Sequence, residues 1–117
     1  MAVLLHGTTR LRADRIAVDG PDPTLLGPEG FSTYLAHGPF LFGTPQEYAC
    51  GKAAAFPNEG GAAILAMDVP DDIIALAVDV YFPLSQGLVQ FDAGAGLTEL
   101  RAAWSTLWTE VRPVECP

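Results

Sequence analysis

Three side chains and one glycine in this sequence have the chemistry to hold a flat polar ligand, beginning with the motif His6-Gly7-Thr8. The motif follows an apolar run at residues 2–5, which is typical of a buried strand. An imidazole beside an unshielded glycine backbone offers a ligand a ring nitrogen, an N–H and a C=O. The simpler interpretation is a hydrogen-bonded histidine at the end of a strand, with the glycine in a turn.

Two tyrosines could supply flat apolar faces for the same ligand. Tyr34 lies in the predicted strand at residues 31–36, and Tyr48 lies in the first turn of a predicted helix. The start of that helix is predicted from Thr44-Pro45-Gln46-Glu47, a capping box with proline at the first helical position. A tyrosine ring with its polar tip suits a heteroaromatic ring such as nicotinamide. Each tyrosine taken alone is better explained as a half-buried packing residue.

The elements that must position these residues form a mixed order of strands and helices. Strands are predicted over residues 2–5, 31–36, 62–69, 73–82, 87–91 and 109–114, and helices over residues 9–18, 45–55 and 97–107. This order predicts one α+β domain over residues 1–117, with a split, mainly antiparallel sheet and a few short helices. A doubly wound parallel sheet would need regular alternation, which the sequence lacks.

Composition narrows the function classes. The sequence has 117 residues, half of them apolar, and a formal net charge of -8. An acidic surface disfavours nucleic-acid binding, and no apolar run is long enough to cross a bilayer. Cys50 and Cys116 make no disulfide framework and no zinc spacing, so we interpret both as free thiols. Free thiols predict a reducing compartment, and hence a cytoplasmic protein without a metal.

In their order along the chain, these motifs resemble the catalytic domain of the ADP-ribosyltransferases of the poly(ADP-ribose) polymerase and diphtheria-toxin type. His6-Gly7-Thr8 is similar to the His-Gly-Thr that ends the first strand of that family. Residues 32–36 look like its Gly-x-Tyr-Phe-Ala type strand, and residues 47–50 like its Asn-Tyr-Cys context. Residues 61–69 resemble the glycine-led apolar strand that follows. The resemblance covers residues 3–92.

The resemblance implies a small mono-ADP-ribosyltransferase or toxin-like catalytic domain that takes NAD as co-substrate and modifies a protein or small-molecule acceptor. His6 would hydrogen-bond a ribose hydroxyl, next to Thr8 of the same motif, and the Gly7 backbone would hold the nicotinamide carboxamide. Tyr34 and Tyr48 would sandwich the nicotinamide ring. Positive charge develops on the ribose as the bond to nicotinamide breaks, so a nearby carboxylate would help.

A glutamate supplies this carboxylate in the family, and at this position the sequence departs from the family pattern. Residues 85–91 match its strand best and place Gln86 at the glutamate position. Asp92, Glu99 and Glu110 are the alternative carboxylates, and Glu110 on the last predicted strand is the first to test. A second hypothesis is therefore a decayed site that binds a nucleotide or a protein without turnover. A third is an unrelated acidic α+β protein that merely carries the motif.

Charged residues near the motif have simpler explanations. Arg10 and Arg12 could meet the pyrophosphate of NAD, but a solvated helix face is the favoured interpretation. The acidic turn at residues 68–72 fits no known cation loop, so we interpret it as solvated.

Overall fold

One five-stranded sheet organises the computed structural model, which describes residues 2–26, 30–41, 43–77, 87–91 and 94–117. Its strands are β1 (Ala2–Thr9), β2 (Phe31–Leu35), β3 (Ala62–Val69), β4 (Leu88–Phe91) and β5 (Thr109–Pro113). Its helices are α1 (Arg10–Asp19), α2 (Pro45–Ala55), α3 (Asp71–Ile74) and α4 (Ala95–Ala103), with a 3-10 turn at Trp104–Thr106.

The strand order is β4-β2-β1-β3-β5, and every neighbouring pair is antiparallel. The predicted α+β class with a mainly antiparallel sheet is therefore confirmed. The long pairing of β1 with β3 runs from Ala2 opposite Val69 to Thr9 opposite Ala62. β3 is buried along almost its whole length. A strand covered on both faces needs such a continuous apolar sequence.

The two faces of the sheet carry separate apolar layers because side chains alternate along a strand. On one face, Leu4 and Leu65 belong to the larger cluster, with Leu100 of α4 and Ala13 of α1. On the other face, Leu5, Ile64 and Ala66 pack with Ala49 of α2. Helix α2 is therefore the layer that covers one side of β1 and β3.

Local signals set the helix boundaries that the sequence predicts. The Thr9 hydroxyl accepts a hydrogen bond from the Arg12 amide at 3.4 Å, and α1 ends at Gly20 with a φ of 78°. The Thr44 hydroxyl accepts from the Glu47 amide at 3.1 Å. Each cap satisfies an amide that has no partner inside its helix. Both predicted helix starts are confirmed.

The strand predicted over residues 73–82 is wrong in its described part, since Ile73 and Ile74 lie in α3 and the chain continues as a turn through Ala77. The amides of Ile73 and Ile74 both bond the Pro70 carbonyl, at 3.1 Å. Carboxylates at Asp71 and Asp72 favour the first turn of a helix. Residues 78–82 of the prediction lie outside the described residues.

The C-terminal amphipathic helix begins two residues before its predicted start and tightens into a 3-10 turn at Trp104. Leu97, Leu100 and Trp104 are buried, and Leu107 is half-buried. The Trp104 indole N–H donates to the Ala17 carbonyl at 3.1 Å. The predicted apolar stripe therefore packs into the core against α1.

Cys50 of α2 and Cys116 of the C-terminal segment form a disulfide, so the prediction of free thiols is wrong. The returning chain brings them together, with the Val114 amide bonded to the Ala62 carbonyl at 3.0 Å. A pair separated by 66 residues gives no spacing pattern in the sequence. Disulfides persist in oxidising surroundings, so the cysteines no longer support the prediction of a cytoplasmic location.

Candidate functional site

Strands β1 and β2 pair over only two residues and then separate. Leu4 lies opposite Leu35, and Leu5 lies opposite Tyr34. Beyond Leu5 no further pair joins these strands within the described residues, although β1 stays paired with β3 as far as Thr9. We call the stretch without paired residues between residues 6–9 of β1 and residues 31–33 of β2 the β1–β2 split.

The His6 side chain bridges the β1–β2 split. Its Nδ1 lies 2.7 Å from the Ser32 carbonyl oxygen of β2. Because that oxygen can only accept, Nδ1 carries the proton and Nε2 is left as an acceptor. The imidazole also packs on Phe31, with 4.5 Å between the ring centroids. A side chain thus joins the two strands where backbone pairing ends.

The His6 ring is neutral at physiological pH. Its burial lowers the pKa of His6 from 6.5 to about 4; the bond to Ser32 opposes the shift, and the positive charge of Lys52 adds to it. The residue still keeps part of its surface accessible. Nε2 can therefore accept a hydrogen bond from a ligand hydroxyl without first losing a proton.

Backbone alternation points the Gly7 amide and carbonyl into the split. The Val3 carbonyl accepts from the Ala36 amide at 3.0 Å, and the Arg10 amide donates to Gly61 at 2.9 Å. Odd-numbered residues of β1 therefore present their backbone polar groups towards β2, and even-numbered ones towards β3. A regular ladder would pair Gly7 with Ser32, but that pair is missing from the described part of the two strands.

Glycine at position 7 is required by the close approach of α2. A Cβ there would lie 2.3 Å from the Pro45 carbonyl oxygen and 2.9 Å from the Ala49 nitrogen. Both are backbone atoms of the helix, so a side chain would push the helix away. Gly7 is buried, and the same glycine whose backbone faces the split also seats the first turns of α2 beside it.

The two predicted tyrosines lie on the same side of the sheet, the side that α2 covers. Tyr34 is half-buried on β2, whereas Tyr48 is exposed on α2. Burial raises the pKa of Tyr34, and the proximity of Tyr48 and of the Glu47 carboxylate adds to the rise. The Tyr34 ring also has Phe40 as a neighbour, at 6.3 Å between centroids.

His6 and Tyr34 project from opposite faces of the sheet. Tyr34 is paired with Leu5, so it shares the face that α2 covers. His6 is the next residue along β1, and its cross-strand partner Leu65 belongs to the other layer. A ligand that contacts both side chains must therefore pass through the β1–β2 split. Thr8 is buried and pairs with Ala63.

Of the two proposed catalytic residues, the described one, Glu110, lies away from the split. Gln86 lies outside the described residues, as does Asp92. Glu110 lies on the edge strand β5, opposite Ala66, and forms an ion pair with Arg112 at 3.1 Å. Strands β1 and β3 separate Glu110 from the split.

Glu47 is a carboxylate on the same side of the sheet as the tyrosines that is not among the predicted site residues. It directly precedes Tyr48 on α2, and its negative charge adds to the rise in the pKa of Tyr34. The capping box accounts for a glutamate at this position. In the sequence, only its place next to Tyr48 indicates a role in a binding site. Helix exposure leaves its carboxylate accessible to a ligand held by the tyrosines.

The two arginines near the motif are engaged with carboxylates. Arg10 pairs with Asp14 at 3.3 Å, and Arg12 pairs with Glu59 at 2.9 Å. The Arg12 pair anchors the loop before β3 to the start of α1, because Glu59 also accepts from the Thr9 hydroxyl at 3.1 Å. These arginines therefore have structural partners already.

Other site types have no counterpart in the described part of the chain. No group of three or more His, Cys, Asp or Glu side chains there could hold a metal ion. No helix in those segments has the length and apolar character to cross a membrane. A cavity of about 340 Å³ does exist, but Ala2, Val3, His37 and Asp68 line it, at the opposite end of β1 from the split.

Comparisons of the chain with protein-family models, with curated proteins and with solved structures gave no match. The resemblance to the ADP-ribosyltransferases therefore rests on the motifs, and the geometry of the split is the evidence that bears on function.

The lowered pKa of His6 predicts a specific pH dependence of stability. Between about pH 4 and 6.5 the unfolded chain binds a proton at His6 that the folded chain does not. The free energy of unfolding should therefore fall as the pH drops through this window, by about 3 kcal/mol from this residue. Urea unfolding of the wild type and of His6→Asn across this pH range measures the contribution of His6 to the free energy of unfolding, because Asn cannot titrate.

His37→Ala is the control, since it removes the second histidine and leaves His6 in place. It should retain the pH dependence that His6→Asn loses. An identical pH dependence in the wild type and in His6→Asn would show that the imidazole is as solvated in the folded state as in the unfolded one.

Proposed function

We propose that the chain binds NAD with the nicotinamide end in the β1–β2 split and acts as a mono-ADP-ribosyltransferase. The observation that carries this proposal is the direction of the Gly7 backbone. Its N–H and C=O face the split together, one donor beside one acceptor. A primary carboxamide carries the complementary pair, an acceptor oxygen and a donor NH₂.

The side chains around Gly7 supply what the rest of the nicotinamide riboside needs. Tyr34 and Tyr48 lie on the side of the sheet that α2 covers, and in this proposal their rings enclose the nicotinamide ring. Nε2 of His6 is an acceptor that a ribose hydroxyl can reach through the split.

The proposed reaction breaks the bond between C1′ of the ribose and the nicotinamide nitrogen. The bonding electrons stay on that nitrogen, so nicotinamide leaves as a neutral molecule. An acceptor nucleophile donates a lone pair to C1′ and releases its proton to solvent. A carboxylate beside the sugar stabilises the positive charge that develops in between. We assign this role to Glu47, which directly precedes Tyr48 on α2, whereas Glu110 lies on a distant edge strand.

A binding module without turnover is the second candidate. It is favoured by the uncharged Gln86 at the family glutamate position and by the distance of Glu110 from the split. Both candidates bind NAD, but they differ in whether nicotinamide is released.

Binding is tested by calorimetric titration of NAD and of nicotinamide into the wild type and His6→Asn. The Asn amide can still donate to the Ser32 carbonyl, so the strands stay joined while the Nε2 acceptor is lost. NAD binding should weaken by roughly 1–3 kcal/mol, the cost of one lost hydrogen-bond partner. Nicotinamide alone has no ribose, so its affinity should not change. His37→Ala should bind both ligands like the wild type; no binding of either ligand by the wild type would refute the proposal.

Turnover is tested by measuring nicotinamide release from NAD by Glu47→Gln and Glu110→Gln. Each substitution removes one negative charge from an exposed position and keeps the side-chain shape. We expect Glu47→Gln to lose at least about tenfold in rate, in line with the loss of one electrostatic contact to the transition state. Glu110→Gln should keep the wild-type rate. The reverse pattern would move the catalytic role to β5, and no release by the wild type would favour the binding module.

A further inference from the structure

One face of α2 carries an aromatic residue, a cation and a second aromatic residue in succession. Tyr48, Lys52 and Phe56 follow one another at intervals of four residues, which places them on one side of the helix and its C-cap. The Lys52 ammonium lies 5.6 Å from the Tyr48 ring centroid and 5.9 Å from that of Phe56. Both aromatic residues are exposed, at 43% and 37% of their surface. We call this row the outer face of α2.

The outer face of α2 looks towards the β1–β2 split. Tyr48 and Lys52 lie within three residues of Ala49, whose backbone nitrogen lies against Gly7 of the split, and the positive charge of Lys52 adds to the lowering of the His6 pKa. Cys50, about 200° around the helix from Tyr48, is tied to Cys116 on the other side. The disulfide and the packed residue Ala49 thus leave the outer face free to line the approach to the split.

Lys52 stands out among the charges of an acidic chain. It is the single lysine in a sequence with a net charge of -8. Within the described residues, no ion pair joins Lys52 to a carboxylate, unlike Arg10 and Arg12. The nearby Arg12 guanidinium is 3.9 Å from the Phe56 ring centroid, on the ring at the end of the row. Positive charge and flat surfaces therefore coincide here.

We infer that the outer face of α2 binds the ADP half of the dinucleotide, with Lys52 on the pyrophosphate and the adenine against the stacked Phe56 and Arg12. This inference rests on the proposed function, which places nicotinamide beside Tyr48. From Tyr48 to Phe56 the chain rises about 12 Å along the helix axis, at 1.5 Å per residue. Lys52 lies midway, as the phosphates lie midway between the two rings of a dinucleotide.

Each recognition element fits its part of the ligand. An ammonium acts as a mobile point charge that suits phosphate oxygens. An exposed aromatic ring with a guanidinium beside it forms a platform for a base, and such stacking tolerates any base. The expected ligand class is a nucleoside diphosphate, with adenine specificity left to contacts other than stacking.

The inference is tested by calorimetric titration of ADP, which lacks nicotinamide, into the wild type, Lys52→Ala and Phe56→Ala. We expect about tenfold weaker ADP binding for each variant, the effect of losing one charged contact or one stacked base. Arg112→Ala is the matched control for charge and Trp108→Ala for an exposed aromatic residue, both at or beside the distant strand β5. Nicotinamide affinity should be the same in all five proteins.

The outcomes separate this inference from the proposal on which it rests. If nicotinamide binds but ADP does not, or if ADP binds all variants equally, the outer face of α2 is not the ADP subsite and the nicotinamide site stands. An equal loss of ADP affinity in Arg112→Ala would show that the Lys52 effect comes from the net charge of the protein, and this result would also overturn the inference. If neither ligand binds the wild type, both claims fail. Altered thermal stability with unchanged ADP affinity would assign Lys52 a helix-stabilising role instead.

Discussion

The hydrogen bond from the His6 ring to the Ser32 carbonyl is the interaction on which the candidate site depends. It takes a backbone acceptor that a regular antiparallel ladder would give to Gly7. The two strands stay joined through an imidazole instead of a pair of amide bonds. A single hydrogen bond of this kind contributes only about 1 kcal/mol, so the split is held by packing as well. The ring stack on Phe31 supplies part of that packing.

A second constraint fixes the helix that faces the split. The backbone of α2 lies so close to Gly7 that a methyl group would not fit between them. The Cys50–Cys116 disulfide ties the opposite side of α2 to the C-terminal segment, and Ala49 packs into the sheet. Together these contacts hold the helix that carries Tyr48 and Lys52. In the proposed function, the position of the row beside the split makes it the binding surface for the ADP half of the dinucleotide.

Local sequence signals predicted much of this fold. The caps at Thr9 and Thr44, the buried run of β3 and the proline-marked edge strand β5 each depend on neighbouring residues, so the sequence contains what is needed to recognise them. The segment after Pro70 was mistaken for a strand because a short apolar run has the same appearance in a buried helix.

The features that rest on long-range contacts were not predictable in this way. The disulfide joins residues far apart in sequence, and its formation depends on the path of the C-terminal segment. The sequence placed His6 with the tyrosines but could not show that they leave opposite faces of the sheet, since this depends on the register of β1 with β2. Lys52 and Glu47 were not predicted as site residues, because a helix with ordinary caps accounts for both.

The most direct measurement of the central claim is the backbone NMR signal of Gly7 during titration with nicotinamide and, separately, with nicotinic acid. If the carboxamide binds the Gly7 backbone in the split, nicotinamide should shift the amide signals of Gly7 and Ser32. Nicotinic acid should shift them far less, because its carboxylate cannot donate to the Gly7 carbonyl. Shifts confined to residues near His37 and Asp68, or equal responses to the two ligands, would contradict the account.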